Sequence, residues 1–450
     1  MPQATFTSWG RVVRATHESV PVVWRSAPIT IPPGMSALPY GLGRSYGDSC
    51  LNEGGTLLVT SGLDRFIAFD AAQGILRCEA GVTLADILAI VVPRGWFLPV
   101  TPGTKHVTVG GAIANDVHGK NHHRAGTFGR YVRCLELCRS DGTRLVCSPE
   151  TNPDWFGATI GGIGLTGLIT WAEISLQPIE SAFVDAESIR FDSLDDFFAI
   201  NPESEASFHY TVAWIDALAA GPRLGRGHYF RGNHATGIER LAAPAAPAHH
   251  GRVRVPVDAP EWLLNRLTLS AFNAVYYHRQ RQHVRRSRVH YEPFFYPLDV
   301  VDDWNRLYGR RGFFQYQCVV PFAEGHAVIK DLLNSTAHSG QGSFLAILKS
   351  FGDLTSPGWL SFPRPGYTLT VDFPNRGGST RALFDRLDGI VAACGGALYP
   401  AKDARMSAHL FRRSFPNWPR FAEYVDPRFS SSFWRRVMGA DRRDIVQDGA

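Results

Sequence analysis

Residues 109–123 read VGGAIANDVHGKNHH. Gly110 and Gly111 let the backbone pass close to a ligand and turn its N–H groups towards it. Ala112 and Ala114 leave room for something flat or bulky. Asn115, Asp116, His118, Lys120, Asn121, His122 and His123 add donors and acceptors able to read the edge of that object. A purely structural loop has little use for so many polar groups beside so little side-chain volume.

Two further glycine loops lie on either side. Residues 41–48 read GLGRSYGD and residues 161–167 read GGIGLTG. Gly41, Gly43 and Gly47 flank Arg44, Ser45 and Tyr46, and backbone amides there suit a nest for a pyrophosphate. The spacing is not G-x-G-x-x-G running straight into a helix, and no Walker lysine follows, so Rossmann and P-loop readings are poor. Three glycine loops inside one α+β segment point to a single extended ligand cradled from several sides.

The intervening pattern is mixed. Residues 56–61, 65–70 and 75–79 read as strands. Thr83 caps a helix with Asp86 three residues on, and Leu84, Ile87, Leu88 and Val91 form its apolar stripe. Residues 132–139 and 143–148 form a hairpin about Asp141-Gly142, 154–160 a helix and 168–176 a strand. After Pro178 the texture changes. Strands are expected at 208–215, 315–320, 344–348 and 368–373, and a helix at 381–393. Residues 241–250, rich in Ala and Pro, read as an exposed mobile loop. Residues 262–291 are aromatic, then basic, with Arg279, Arg281, Arg285, Arg286 and Arg288.

The 450 residues suggest two or three domains. A 44% hydrophobic and 19% charged composition suits a globular chain with a large core. The net charge of +5, from 46 basic and 41 acidic residues, does not imply nucleic acid, and none is expected as a partner. The first twenty residues lack the apolar core of a signal peptide, and no apolar run reaches the ~20 residues of a membrane span. Seven scattered cysteines suit free thiols. These features predict a cytoplasmic protein, with peripheral contact at the inner face of a membrane allowed. His118, His122 and His123 fit no metal pattern, so no metal is expected.

With these pieces in hand, the chain resembles the vanillyl-alcohol-oxidase, or PCMH-type, flavoprotein fold. GLGRSYGD at 41–48 is similar to its first flavin-pyrophosphate loop, and Thr108 to Gly111 with Asn115 to His118 to its second. More narrowly, the chain resembles the decaprenylphosphoryl-β-D-ribose oxidase family. The segments HGKNHH (118–123), WID (214–216), FYPLD (295–299), QYQ (315–317), VDFP (371–374) and AKD (401–403) carry that narrower likeness. It implies an α+β fold with a split FAD-binding domain, residues 1–181 plus 397–450, and an inserted antiparallel-sheet substrate domain, 182–396. FAD would contact Gly41, Gly43, Arg44, Ser45, Tyr46, Gly47, Gly103, Thr108, Val109, Gly110, Gly111, Asn115, His118, Ile169 and Tyr399. Lys402, His118 and Tyr46 would be catalytic, and Tyr296, Gln317 and Lys349 would bind substrate. Relatives with covalent flavin carry a histidine where Arg44 stands, so the FAD is expected to be non-covalent. Some members carry a cysteine immediately before VDFP, where this chain has Thr370.

The activity implied is oxidation of C2 of the ribose of a polyprenylphosphoryl-β-D-ribose to the 2-keto sugar. A separate NAD(P)-dependent short-chain reductase would complete the epimerisation to the arabinose donor. Two other readings stay open at this level. A same-fold oxidase of soluble alditols or aldonolactones would have a closed polar pocket, whereas a lipid substrate requires an apolar groove. A non-catalytic binder of lipid phosphate or nucleic acid would use the 279–288 segment, which otherwise is a solvated face or, after Phe272, Tyr276 and Tyr277, a membrane-interface segment. Lys402 would stabilise the charge of the reduced flavin, while the general base is left undetermined between the residues near the chemistry.

Overall fold

The computed structural model describes residues 6–237 and 253–439. The expected mobile loop at 241–250 lies outside them. The architecture is α+β, and three sheets organise it.

A small parallel sheet is ordered Glu18–Pro21, Thr56–Val59, Ala37–Tyr40. A five-stranded antiparallel sheet is ordered Phe66–Asp70, Ile75–Glu79, Leu168–Ser175, Val132–Cys138, Arg144–Cys147. Its period-two alternation sends Leu76, Cys78, Leu135, Leu137, Ala172 and Ile174 to one face. The helix Leu84–Val91 closes that face with the four apolar residues of its stripe. Its start is fixed by a complete capping box, in which Thr83 and Asp86 satisfy each other's backbone amides. A second, six-residue helix, Val109–Ala114, packs beside it. The opening stretch is therefore not an extended loop. Thr108 caps it by accepting from the Gly111 amide, so the glycine pair begins a helix.

An eight-stranded antiparallel sheet forms the second half. Its order is Val284–His290, Phe183–Phe191, Gly227–His234, Tyr210–Ile215, Ala346–Phe351, Gly366–Pro374, Phe313–Val320, Ala397–Leu398. Alternation again sorts the side chains. Tyr316, Cys318, Val320, Leu348, Leu369, Val371, Ala213 and Ile215 enter a core covered by the helices Leu194–Ser207, Gly325–Ser339 and Gly378–Ala393. Gln315, Gln317, Ile347, Lys349, Thr370 and Val212 occupy the opposite face and line a cavity against the flavin-type loops. The last strand pairs Leu398 with Cys318 and returns the chain to that cavity.

The sequence placed most of these elements within a few residues.

Candidate active site

The cavity is about 570 Å³. Three chain segments that the glycines allow to approach one another enclose it. A Cβ on Gly41 would stand 2.6 Å from Thr108 Oγ1, and one on Gly47 would stand 1.7 Å from the Asp403 carbonyl oxygen. The Tyr46 amide donates to Ala401 O, and Arg436 bridges Asp48 and Asp403. The first loop and the returning chain are thus pinned together before any ligand binds.

Gly41, Gly43, Arg44, Ser45, Tyr46, Gly103, Thr108, Gly110, Gly111, Asn115, His118, Ile169, Gln317, Lys349, Tyr399 and Lys402 all line the cavity. Three expected site residues do not. Val109 is fully buried in the core beneath the sheet, its amide donating to Val82 O. Gly47 serves the close approach to Asp403. Tyr296 is 1% exposed, and its hydroxyl shares a 2.7 Å hydrogen bond with Thr101 Oγ1, so it stands behind the wall.

The opening stretch also needs correction. The Gly110 amide donates to Ala80 O, and that of Gly111 to Thr108 Oγ1, so neither is turned towards a ligand. These glycines contribute by their missing side chains. Asp116 is buried and accepts from Ser356, Ser361 and the Gly129 amide. Asn121 donates to Pro99 O, His122 accepts from the Gly352 amide, and His123 faces Phe208 O. Four of the polar residues therefore hold the loop in place rather than read a ligand, and the three histidines diverge.

The first loop behaves differently. The amides of Gly43, Arg44 and Ser45 donate to no other described residue. Arg44 Nε and Ser49 Oγ are buried without a partner. Arg44 lies over the Trp9 ring, 4.2 Å from its centroid. Free amides, an orphaned guanidinium nitrogen and glycines packed against neighbouring loops suit the pyrophosphate of a dinucleotide.

At the other end, His118 lies between two strands of the large sheet. Its Nδ1 is 3.0 Å from Lys349 Nζ and its Nε2 is 3.0 Å from Gln317 Nε2. Lys349 also donates to Gly119 O at 2.6 Å. Burial first, and the charge of Lys349 second, hold His118 well below its ordinary value, so it is neutral. Tyr399 donates to Asn115 O, and its ring stacks on Phe362. Lys402 Nζ sits 3.8 Å from the centre of the Tyr46 ring.

Lys120, one of the donors of the 109–123 stretch but not an expected site residue, is a third lysine of this wall. Its Nζ donates to the carbonyls of Phe294 and Phe295, tying the short helix Tyr291–Phe295 to the opening stretch. Burial draws Lys120, Lys349 and Lys402 each down to about 7. Only the return of strand to loop in three dimensions brings them together, and no sequence spacing signals it.

Residues 11–148 match the family model of an FAD binding domain. With the loops and cavity above, this defines an FAD-dependent oxidoreductase of PCMH type. The chain is 38% identical over 416 residues to decaprenylphosphoryl-beta-D-ribose oxidase of Mycolicibacterium smegmatis, covering 90% of this chain and 89% of that protein. An uncharacterised protein of Streptomyces coelicolor is 36% identical over 79% of this chain and its own full length. Human delta(24)-sterol reductase is 34% identical over 109 residues, 24% of this chain and 21% of that protein. The chain belongs to the decaprenylphosphoryl-β-D-ribose oxidase family.

Proposed function

We propose that this enzyme oxidises C2 of the ribose of a polyprenylphosphoryl-β-D-ribose to the 2-keto sugar. Within the FAD-dependent class, the observation that carries the lipid reading is the rim of the cavity. Arg254 and residues 301–303 line the mouth, on the paired strands Val253–Arg254 and Val301–Asp302. Val253, next to Arg254 on that strand pair, is 67% exposed, and the segment that follows continues with exposed apolar residues, Val257 at 66%, Trp262 at 70% and Leu267 at 82%. An exposed apolar segment that runs on from the lining of a cavity walled by lysines suits a ligand with a polyprenyl tail and an anionic phosphate better than a free polyol.

In this reading residues 1–181 and 397–450 form the FAD-binding part and 182–396 the substrate part. FAD held by residues 41–46, Thr108, Gly110, Gly111 and Tyr399 would supply the hydride acceptor. The protein's own residues have two tasks. Lys402 offsets the negative charge that develops as the ring is reduced. The His118–Lys349 pair takes the hydroxyl proton. Gln317 donates to Nε2, so the neutral imidazole carries its proton on Nδ1 and orients Lys349, whose free amine receives the hydroxyl proton. An amine drawn to about 7 is half-available as a base at neutral pH. Thr370, opposite Gln317 in strand register, completes the wall without a thiol.

The 2-keto product would pass to a separate NAD(P)-dependent short-chain reductase. No helix among the described residues is long and apolar enough to cross a membrane. Peripheral contact through the exposed rim fits a lipid substrate. The test is anaerobic: polyprenylphosphoryl ribose should bleach the flavin, and free alditols and aldonolactones should not. Bleaching by the free polyols alone would transfer the assignment to the soluble-substrate reading. Acid precipitation should leave all yellow colour in the supernatant, since Arg44 occupies the tethering position; colour in the pellet would mean a covalent flavin.

A further inference from the structure

Asp372 is a carboxylate with no exposed surface, set one layer behind the cavity wall. It stands directly opposite Gln315 in the register of the large sheet. Gln315 Nε2 donates to its Oδ1 at 2.6 Å, and the Tyr308 hydroxyl lies 3.4 Å from its Oδ2. Tyr308 is itself held by Ser343 Oγ at 3.0 Å and by stacking on Phe313. Gln315 lines the same cavity as Tyr46, whose ring packs edge-on against Phe313, 5.4 Å between centroids, and carries Lys402. Isolating a carboxylate from water is costly unless a cation compensates it. The cation that bears on Asp372 is Lys402, acting through space with no hydrogen bond between them among the described residues.

We propose that Asp372 is a positioning residue for the redox step: its charge, with Gln315 and Tyr46 between, keeps Lys402 in the ammonium form beside the flavin site. Lys402 faces Tyr46, Asp372 and, from the opening stretch, His118. Asp372 faces Tyr308, Tyr46 and Lys402. Arg44 and Asp299 act on Tyr46 with opposite signs. Burial drives Lys402 down and Asp372 up, each to about 7, and each opposes the other's change. The two charges are thus held at the edge of neutralisation. Losing Asp372 removes the push that keeps the lysine charged, so Lys402 gives up its proton at lower pH. Below that pH the variant and parent carry the same charge.

The inference rests on the FAD reading but not on the choice of sugar, so the experiment uses no sugar. The reduction potential of the bound FAD is measured against pH on the purified holoenzyme by equilibration with a reference dye. At pH 7.5 Asp372→Asn should disfavour the reduced flavin at least tenfold, about 30 mV for a two-electron couple. The gap should close near pH 5.5. In a Lys402→Met background, Asp372→Asn should change nothing further. A gap constant across pH, no gap at all, or a full additional drop in the Lys402→Met background would each overturn the proposal. Should Asp372→Asn not fold, Gln315→Met carries the test: a shift of the same sign upholds it, and the parent's curve refutes it.

Discussion

Lys349 Nζ stands 3.0 Å from Nδ1 of His118, across 231 residues of chain. One partner comes from the turn after the helix Val109–Ala114, the other from a central strand of the large sheet. Their meeting brings the flavin-type loops and the sheet to a single point, where the proposed reaction would deliver its proton.

A pH profile follows from that pair and from Lys402. Lys349 must be a free amine to accept a proton, and burial has lowered it from 10.5 to about 7, so flavin reduction should rise with pH through that region. Lys402 must be charged and is also drawn to about 7, so the rate should fall on the alkaline side. The product is a bell centred near neutrality. Stopped-flow flavin reduction checks it, and Lys349→Met should abolish the acid limb and slow reduction by roughly 10²–10⁴-fold. An unchanged acid limb would remove Lys349 from the proton step.

Lys402→Ala should spare FAD binding, because the contacts of the 41–49 loop and the second loop survive it. The chemical step should slow by about two to three decades, the cost of losing one group that stabilises developing charge. Flavin content by absorbance and the anaerobic reduction rate separate the two effects. A variant reduced at the parent rate would show that the cation on Tyr46 is only packing.

Gly47→Ala tests the pinning of the first loop. An added Cβ meets the Asp403 carbonyl oxygen at 1.7 Å, and backbone rather than a flexible side chain stands in the way. Overpacking of this kind costs about 1–3 kcal/mol. The expected result is a lower Tm and reduced flavin occupancy. Parent values for both would mean that the returning segment can move freely.

The proposed membrane contact divides the basic segment. Arg286 is bound to Glu187 and Arg288 to Asp185, across the edge of the large sheet. Charged residues on an edge strand also guard it against pairing with another chain. These two should matter little to vesicle binding, whereas Trp262→Ser with Leu267→Gln should weaken co-sedimentation with anionic vesicles strongly. Each exposed apolar residue stands to contribute about 1.5–3 kcal/mol when buried. Loss on changing only Arg286 and Arg288 would place the contact on the strand instead.

The sequence alone carried a great deal. The glycine loops pointed to one extended ligand, since close backbone approach leaves a mark on residue choice, and their wording resembled that of the flavin-type fold. The Thr83–Asp86 cap and the apolar stripe after it fixed a helix, because such signals are local. Alternation in FQYQCV at 314–319 already separated Gln315 and Gln317 from the core residues between them. What local pattern could not decide was which polar residues face the ligand. Asp116, Asn121, His122 and His123 have the same chemistry as the polar residues that line the cavity, yet their partners lie at Ser356, Pro99, Gly352 and Phe208. Tyr296 was misplaced for the same reason. Asp372 and Lys402 influence each other only because antiparallel pairing sets Asp372 opposite Gln315 and the strand Ala397–Leu398 delivers Lys402 beside it. Burial and the partners met at long range set those charges, and both are properties of the assembled sheet rather than of any stretch of chain.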